Sequence, residues 1–202
     1  MKVGIIGAGF VGMNFGKALI KAGHEVMFSS RSPQGTHAHQ LRQETGAAVE
    51  LPETVLRFSR IKALALPPDA AIEVAKTFAG QWGDSVLIDM NNRLSQTGLS
   101  LTQELADITG AQVVKAFNTI GAEHYLNPQF GNQTASMLIA GDPMAKQIAS
   151  ELATAIGFEV IDAGGLDAAV LLENLARLWV TLARSQHGRD IAFKLLRRSD
   201  GR

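Results

Sequence analysis

The stretch from Lys2 to Gly23 constrains this chain most. A short apolar strand, Val3-Gly4-Ile5-Ile6, runs into Gly7-Ala8-Gly9-Phe10-Val11-Gly12, and a helix follows. Glycines spaced G-x-G-x-x-G between strand and helix stand in the setting that their chemistry requires. Gly7 allows a sharp turn out of the strand. Gly9 removes the Cβ that would hold a pyrophosphate off the backbone, and Gly12 lets the helix lie close on the strand. The first-turn amides, over Phe10, Val11 and Gly12, then face the phosphates together with the positive end of the helix dipole. Phe15, Ala18, Leu19 and Ala22 share one face of that helix, Gly16 extends the close-packing seam, and Gly23 ends it. A structural glycine turn without a ligand is the alternative reading.

The next strand, His24 to Ser29, ends in Ser29-Ser30-Arg31-Ser32. An NAD-binding fold usually places an Asp or Glu here, about 20 residues past the glycines, to hold the ribose 2′-hydroxyl. Hydroxyls and a guanidinium replace the carboxylate. That set suits a dianionic 2′-phosphate, with Arg31 forking its oxygens and Ser30 or Ser32 donating. Each charge-assisted bond of this kind contributes about 1.5–3 kcal/mol. NADP(H) is therefore expected over NAD(H), unless Arg31 is an ordinary loop arginine.

Composition narrows the function classes. The 202 residues carry no net formal charge, so bulk electrostatics does not point to nucleic acid. The absence of cysteine excludes disulfides, thiol catalysis and thiolate metal sites. No signal-peptide pattern precedes the first strand, and no apolar run is long enough to span a bilayer. A cytoplasmic protein without a membrane or metal partner is expected, with a core over about residues 1–117 and an extension over about 118–202 of one domain.

Alternation of strand and helix continues down the chain. A polar loop with His37 and His39 leads to a short helix ending at Thr45; the two histidines read as solvated, though one could sit near the adenine or the 2′-phosphate. Further strands are expected at Ile61–Leu66, Ser85–Asp89, Gln112–Phe117, Ala135–Ala140 and Phe158–Asp162. Leu66-Pro67 ends one of them, on the edge that faces the ligand crevice in such sheets. Asp89-Met90-Asn91-Asn92-Arg93 ends another, and Asp89 could serve the site or cap the turn. Lys115, inside an apolar run, reads as a stem packed on the sheet with its ammonium at the rim, or as a catalytic group. His124 and Tyr125 could reach the crevice or be structural. Asp142 and Pro143 open a helix as N-cap and N1, with Ile148, Leu152, Ala155 and Ile156 inward. From Asp167 to about Arg184 a helix is apolar nearly all round, with Glu173, Arg177, Thr181 and Arg184 as a narrow polar stripe. Burial of such a helix calls for a homodimer. Arg197-Arg198 reads as a solvated basic end.

Five segments together resemble a known family: Gly7-x-Gly9-x-x-Gly12, Ser30-Arg31, Val114-Lys115-Ala116-Phe117-Asn118-Thr119, Ala140-Gly141-Asp142 and Asp162-Ala163-Gly164. In order and over nearly the whole chain, they are similar to the NADP oxidoreductases that depend on coenzyme F420, and to the NADPH-binding domain of the STEAP metalloreductases. The resemblance implies a Rossmann-type α/β fold, doubly wound on a mainly parallel sheet, with a short C-terminal extension. It implies hydride exchange between NADPH and a flavin or the deazaflavin F420. It assigns the glycine loop to the pyrophosphate, Ser30 and Arg31 to the 2′-phosphate, and Leu66, Pro67, Ala116, Phe117 and Asn118 to the flanks of the nicotinamide. One departure stands out: Asn92-Arg93 occupies the place where the family pattern has Asn-Pro.

Hydride transfer between two bound rings needs little side-chain chemistry, because the protein mainly stacks the rings and excludes water. The sequence fits that, with no triad and no readable acid–base pair; His124 and Lys115 are the candidates for polarising the acceptor. A β-hydroxyacid dehydrogenase or imine reductase, completed by dimerisation, is a second reading. A non-catalytic NADPH-binding sensor or subunit is a third.

Overall fold

The computed structural model describes residues 1–93 and 100–198. Among the described residues, ten strands and seven α-helices follow one another as β1 (Lys2–Ile6), α1 (Phe10–Lys21), β2 (Glu25–Ser29), α2 (Thr36–Thr45), β3 (Ala48–Glu50), α3 (Pro52–Phe58), β4 (Ile61–Leu64), α4 (Pro68–Thr77), β5 (Val86–Asp89), α5 (Leu101–Thr109), β6 (Gln112–Lys115), β7 (Gln129–Phe130), β8 (Gln133–Thr134), β9 (Ser136–Gly141), α6 (Pro143–Ile156), β10 (Glu159–Asp162) and α7 (Ala169–Ala183). Strands β3-β2-β1-β4-β5-β6 lie side by side and parallel, the order that reverses direction at β1. β9 joins β6 antiparallel and β10 joins β9 in parallel, so the C-terminal extension completes the same sheet.

Apolar residues on both strand faces require cover on both sides. On one face Phe15 and Leu19 of α1, Leu41 of α2, and Ala145, Ala149 and Leu152 of α6 pack with Val3, Ile5, Ile88 and Val114. On the other, Val55 of α3, Ala71 and Ala75 of α4, and Leu101 and Leu105 of α5 enclose Ile6, Leu64, Leu87 and Trp82. α1 lies close because Gly16 admits Phe28: a Cβ there would meet the Phe28 ring at 2.2 Å.

Several expected elements shift. β4 stops at Leu64 and β6 at Lys115, shorter than the apolar runs that encode them. The short β3 and the β7–β8 hairpin carry too little periodicity to be read from sequence. The buried face of α6 is Ala145, Ala149, Leu152 and Ala153, with Ile148 and Ile156 partly buried against the same core; of the residues expected inward, Ala155 alone is exposed. Asp142 sits at that helix's N-cap position, but its carboxylate accepts from Val113 N–H at 2.7 Å and does not cap. In α7 the expected polar stripe is broken, since Glu173 turns inward and is buried.

Candidate functional site

The carboxyl ends of β1, β2, β4, β5 and β6 share one edge of the sheet, and a crevice of about 360 Å³ opens there. Gly9, Phe10 and Val11 form one wall; Ala65–Pro68 and Met90–Asn92 form the other. Five expected site residues, Gly9, Phe10, Val11, Leu66 and Pro67, therefore meet in one cavity. A separate depression of about 320 Å³ lies at the opposite end of β2, between His24–Met27, Thr45–Ala48 and Phe58, away from the strand ends.

Gly7 leaves β1 at φ 110°, and a Cβ on it would meet the Ala65 carbonyl oxygen at 2.3 Å. A Cβ on Gly12 would meet the Gly7 carbonyl oxygen at 1.9 Å, so these two glycines are required by the fold itself. Gly9 is different. Its backbone, at φ −75° and ψ −171°, suits any residue, and a Cβ there would meet nothing within 4 Å. Among the described residues nothing requires a glycine at position 9, whereas close approach of an outside group to the backbone would. No side chain caps α1, and its first turn holds no acidic residue. The N-terminal amides of the helix are thus left to an external acceptor. These features fit a dinucleotide pyrophosphate.

At the end of β2, Ser29 is buried and its hydroxyl accepts from Gly7 N–H at 3.2 Å, tying this strand to the glycine turn. The Ser30 hydroxyl accepts from Ser32 N–H at 3.1 Å, shaping the turn that carries Arg31. Arg31 is exposed. His37 lies in the first turn of α2, and its Nε2 donates to the Ala8 carbonyl at 2.8 Å. A carbonyl only accepts, so Nε2 carries the proton. The helix start brings His37 to the glycine loop, a placement that its surrounding polar sequence does not encode.

The ends of β4, β5 and β6 are joined by a buried polar cluster. Lys115 is fully buried, and its Nζ donates to Asp89 Oδ2 at 2.8 Å, to Glu173 Oε1 at 3.0 Å and to the Asn91 carbonyl at 2.5 Å. This corrects the expectation of an ammonium at the rim: three oxygens satisfy all three ammonium donors inside. Asp89 does cap its turn, since Oδ1 accepts from Asn91 N–H at 3.0 Å and from Asn91 Nδ2 at 2.8 Å. Thr102 donates to Asp89 Oδ2 at 2.8 Å. Asn91 in turn accepts from Leu66 N–H at 2.6 Å, which fixes the crevice wall. Glu173 also accepts from Leu101 N–H at 3.0 Å, at the start of α5. Arg93 leaves this edge to pair with Glu104 of α5 at 2.7 Å.

Beyond β6 the chain bends. Phe117 has φ 58°, and among the described residues no other non-glycine has a positive φ. Its carbonyl accepts from the Tyr125 hydroxyl, and its ring sits 4.5 Å from that of Phe15, in the core. Its N–H donates to Met137 Sδ at 3.1 Å, so both backbone polar groups of Phe117 are engaged within the protein, and Ala116 is likewise buried. Burial pushes the Tyr125 phenol far above its ordinary range, with Glu123 adding to the shift, so it stays a donor. Asn118 is tied to Asn92 by two bonds, Nδ2 to Asn92 Oδ1 at 2.9 Å and the Asn118 carbonyl from Asn92 Nδ2 at 3.2 Å. The Asn118 Oδ1 is buried and has no partner among the described residues. His124 faces elsewhere, with Nε2 on the Arg189 carbonyl at 3.0 Å. Among the described residues no group of three or more His, Asp or Glu could hold a metal, and no helix is long and apolar enough to cross a membrane.

Residues 2–93 match the family described as NADP oxidoreductase, coenzyme F420-dependent. The chain is 31% identical over 179 residues to metalloreductase STEAP3 of Rattus norvegicus, covering 83% of this chain and 35% of that protein, about a third of its length. The fold matches a candidate F420-dependent NADP-reductase from Arthrobacter sp. FB24 with a TM-score of 0.89 at 25% identity, over 98% of this chain and 100% of the other. A Streptomyces aurantiacus imine reductase shares the fold at a TM-score of 0.68 and 18% identity, over 90% of this chain and 61% of that one.

Proposed function

This chain is a member of an NADP-dependent oxidoreductase family, and from that premise we propose that it binds NADP(H) along the carboxyl edge of its sheet and exchanges hydride with a flavin-like or deazaflavin ring, coenzyme F420 among them. Gly7, Gly9 and the amides of Phe10, Val11 and Gly12 receive the pyrophosphate. Ser30 and Arg31 hold the adenosine 2′-phosphate. Leu66 and Pro67 bound the nicotinamide on one side, and the backbone of Ala116–Asn118 bounds it on another. The bound cofactor supplies the hydride; the protein holds the two rings at attack distance and keeps water out. No side-chain acid or base is assigned, in keeping with direct hydride transfer between two stacked rings.

The observation that carries this reading is Gly9, whose missing side chain serves nothing inside the fold. Calorimetry with NADPH and NADH tests the binding, with NADPH expected to be tighter. Anaerobic stopped-flow oxidation of NADPH by F420, FMN or a ferric chelate tests the acceptor. Turnover with a ring acceptor supports the proposal; tight NADPH binding without turnover by any of them marks a sensor or subunit instead. Leu171 and Leu178 of α7, 62% and 48% exposed, form the face through which a homodimer would assemble. Light scattering over a range of concentrations decides that, and a strict monomer refutes it.

A further inference from the structure

The polar cluster beneath the crevice holds two carboxylates, Asp89 and Glu173, and one ammonium, Lys115. Asp89 and Lys115 are fully buried, and the Glu173 side chain is 7% exposed. The nearby Arg93–Glu104 pair balances itself. The cluster therefore carries one formal negative charge in excess, away from the water that would screen it. Such an arrangement is costly to bury and contributes little to stability by itself, so its place in the fold asks for another reason.

Its position supplies one. Asp89 is one hydrogen bond away from Asn91, which lines the crevice and fixes the Leu66 amide. Glu173 comes from α7 and reaches the same ammonium from the far side. The surplus charge thus lies under the ends of β4, β5 and β6, the half of the crevice given above to the nicotinamide. When NADPH gives up hydride, both electrons of the breaking C–H bond leave with the hydrogen to the acceptor ring, and the nicotinamide becomes a cation. Resting on the NADP(H) reading, we infer that Glu173 is an electrostatic positioning residue: with Asp89 and Lys115 it holds a buried negative charge beneath the nicotinamide that favours the oxidised, cationic form over the reduced one.

Glu173→Gln keeps the oxygen that accepts from Lys115 and Leu101 and removes only the charge. The dissociation constants of NADP⁺, NADPH and 2′,5′-ADP are measured by calorimetry on the full chain, wild type and variant. The expected result is a ratio of the NADP⁺ constant to the NADPH constant that rises roughly threefold or more in the variant, the direction Coulomb's law gives for removing a buried negative charge near the nicotinamide cation. Affinity for 2′,5′-ADP, which lacks the nicotinamide, should stay within about twofold. A purely structural role would weaken both nicotinamide forms alike and leave the ratio unmoved, and that outcome overturns the inference. If Glu173→Gln does not fold, Glu173→Leu, which places an apolar side chain at the same buried position, is measured in the same way. If neither variant folds, Asp89→Asn removes the other carboxylate and must move the ratio in the same direction. An absence of NADPH binding by the wild type would refute the NADP(H) reading itself, whereas binding with an unmoved ratio would refute only the role of the charge.

Discussion

Two lysines sit buried in adjacent parts of one sheet and are treated in opposite ways. Lys62 lies near the amino end of β4 and donates, among the described residues, to the Ser85 hydroxyl alone; burial, followed by the charge of Arg60, lowers its pKa to about 8. Lys115 lies at the carboxyl end of β6, where two carboxylates and a carbonyl receive its three protons. The amino end of the sheet tolerates a charge at a cost in stability. The carboxyl end surrounds one with two carboxylates and a carbonyl and hangs the crevice wall on that network, through Asn91 and Leu66. Substitutions at the amino end should therefore change stability alone, and those at the crevice edge should change ligand affinity.

The largest effect is expected from Lys115→Met. It leaves Asp89 and Glu173 buried without a counter-charge, and stability in urea should fall by about 3–5 kcal/mol. A loss under 1 kcal/mol would mean that the network is not a unit. Next, Arg31→Ala should weaken NADPH binding by about 1.5–3 kcal/mol, roughly ten- to a hundredfold, and leave NADH binding and the melting temperature unchanged. An equal loss for both nucleotides would remove Arg31 from the 2′-phosphate. Lys62→Met comes third and has the opposite sign. Below pH 8 the folded protein holds a buried charge, so the variant should be about 1–3 kcal/mol more stable at pH 7. Between the folded value of about 8 and the ordinary 10.5 the unfolded chain binds the extra proton. Wild-type stability should consequently rise with pH across that window, and the variant should lack this rise. Denaturant midpoints from pH 7 to 10.5 measure it. The smallest effect is Tyr125→Phe, which removes the hydroxyl from the Phe117 carbonyl and should cost about 1 kcal/mol in the same assay.

Legibility followed the range of the interactions. The glycine loop could be read because strand, turn and helix start are contiguous in the chain. The same holds for Gly23 at the end of α1, which has a positive φ. The antiparallel turn of β9 and β10 into the main sheet could not be read, because apolar alternation says that a strand exists but not which neighbour it takes or in which sense. His37 reached the Ala8 carbonyl across 29 residues, and Glu173 reached Lys115 across 58. Nothing local marks either pairing; in the helical pattern Glu173 looks like the solvent stripe of an amphipathic helix.

The sequence by itself determined that a strand, a glycine turn and a helix would begin a doubly wound α/β fold, and that the end of the second strand would present hydroxyls and a guanidinium instead of a carboxylate. Those are properties of neighbouring residues, set by backbone sterics and side-chain type. Only the tertiary structure decided that Asp89, Lys115 and Glu173 meet beneath the crevice, and that Phe117 turns its ring into the core. A buried charge is stable only where distant segments bring it partners, and that condition is settled by packing, after the local pattern has been spent.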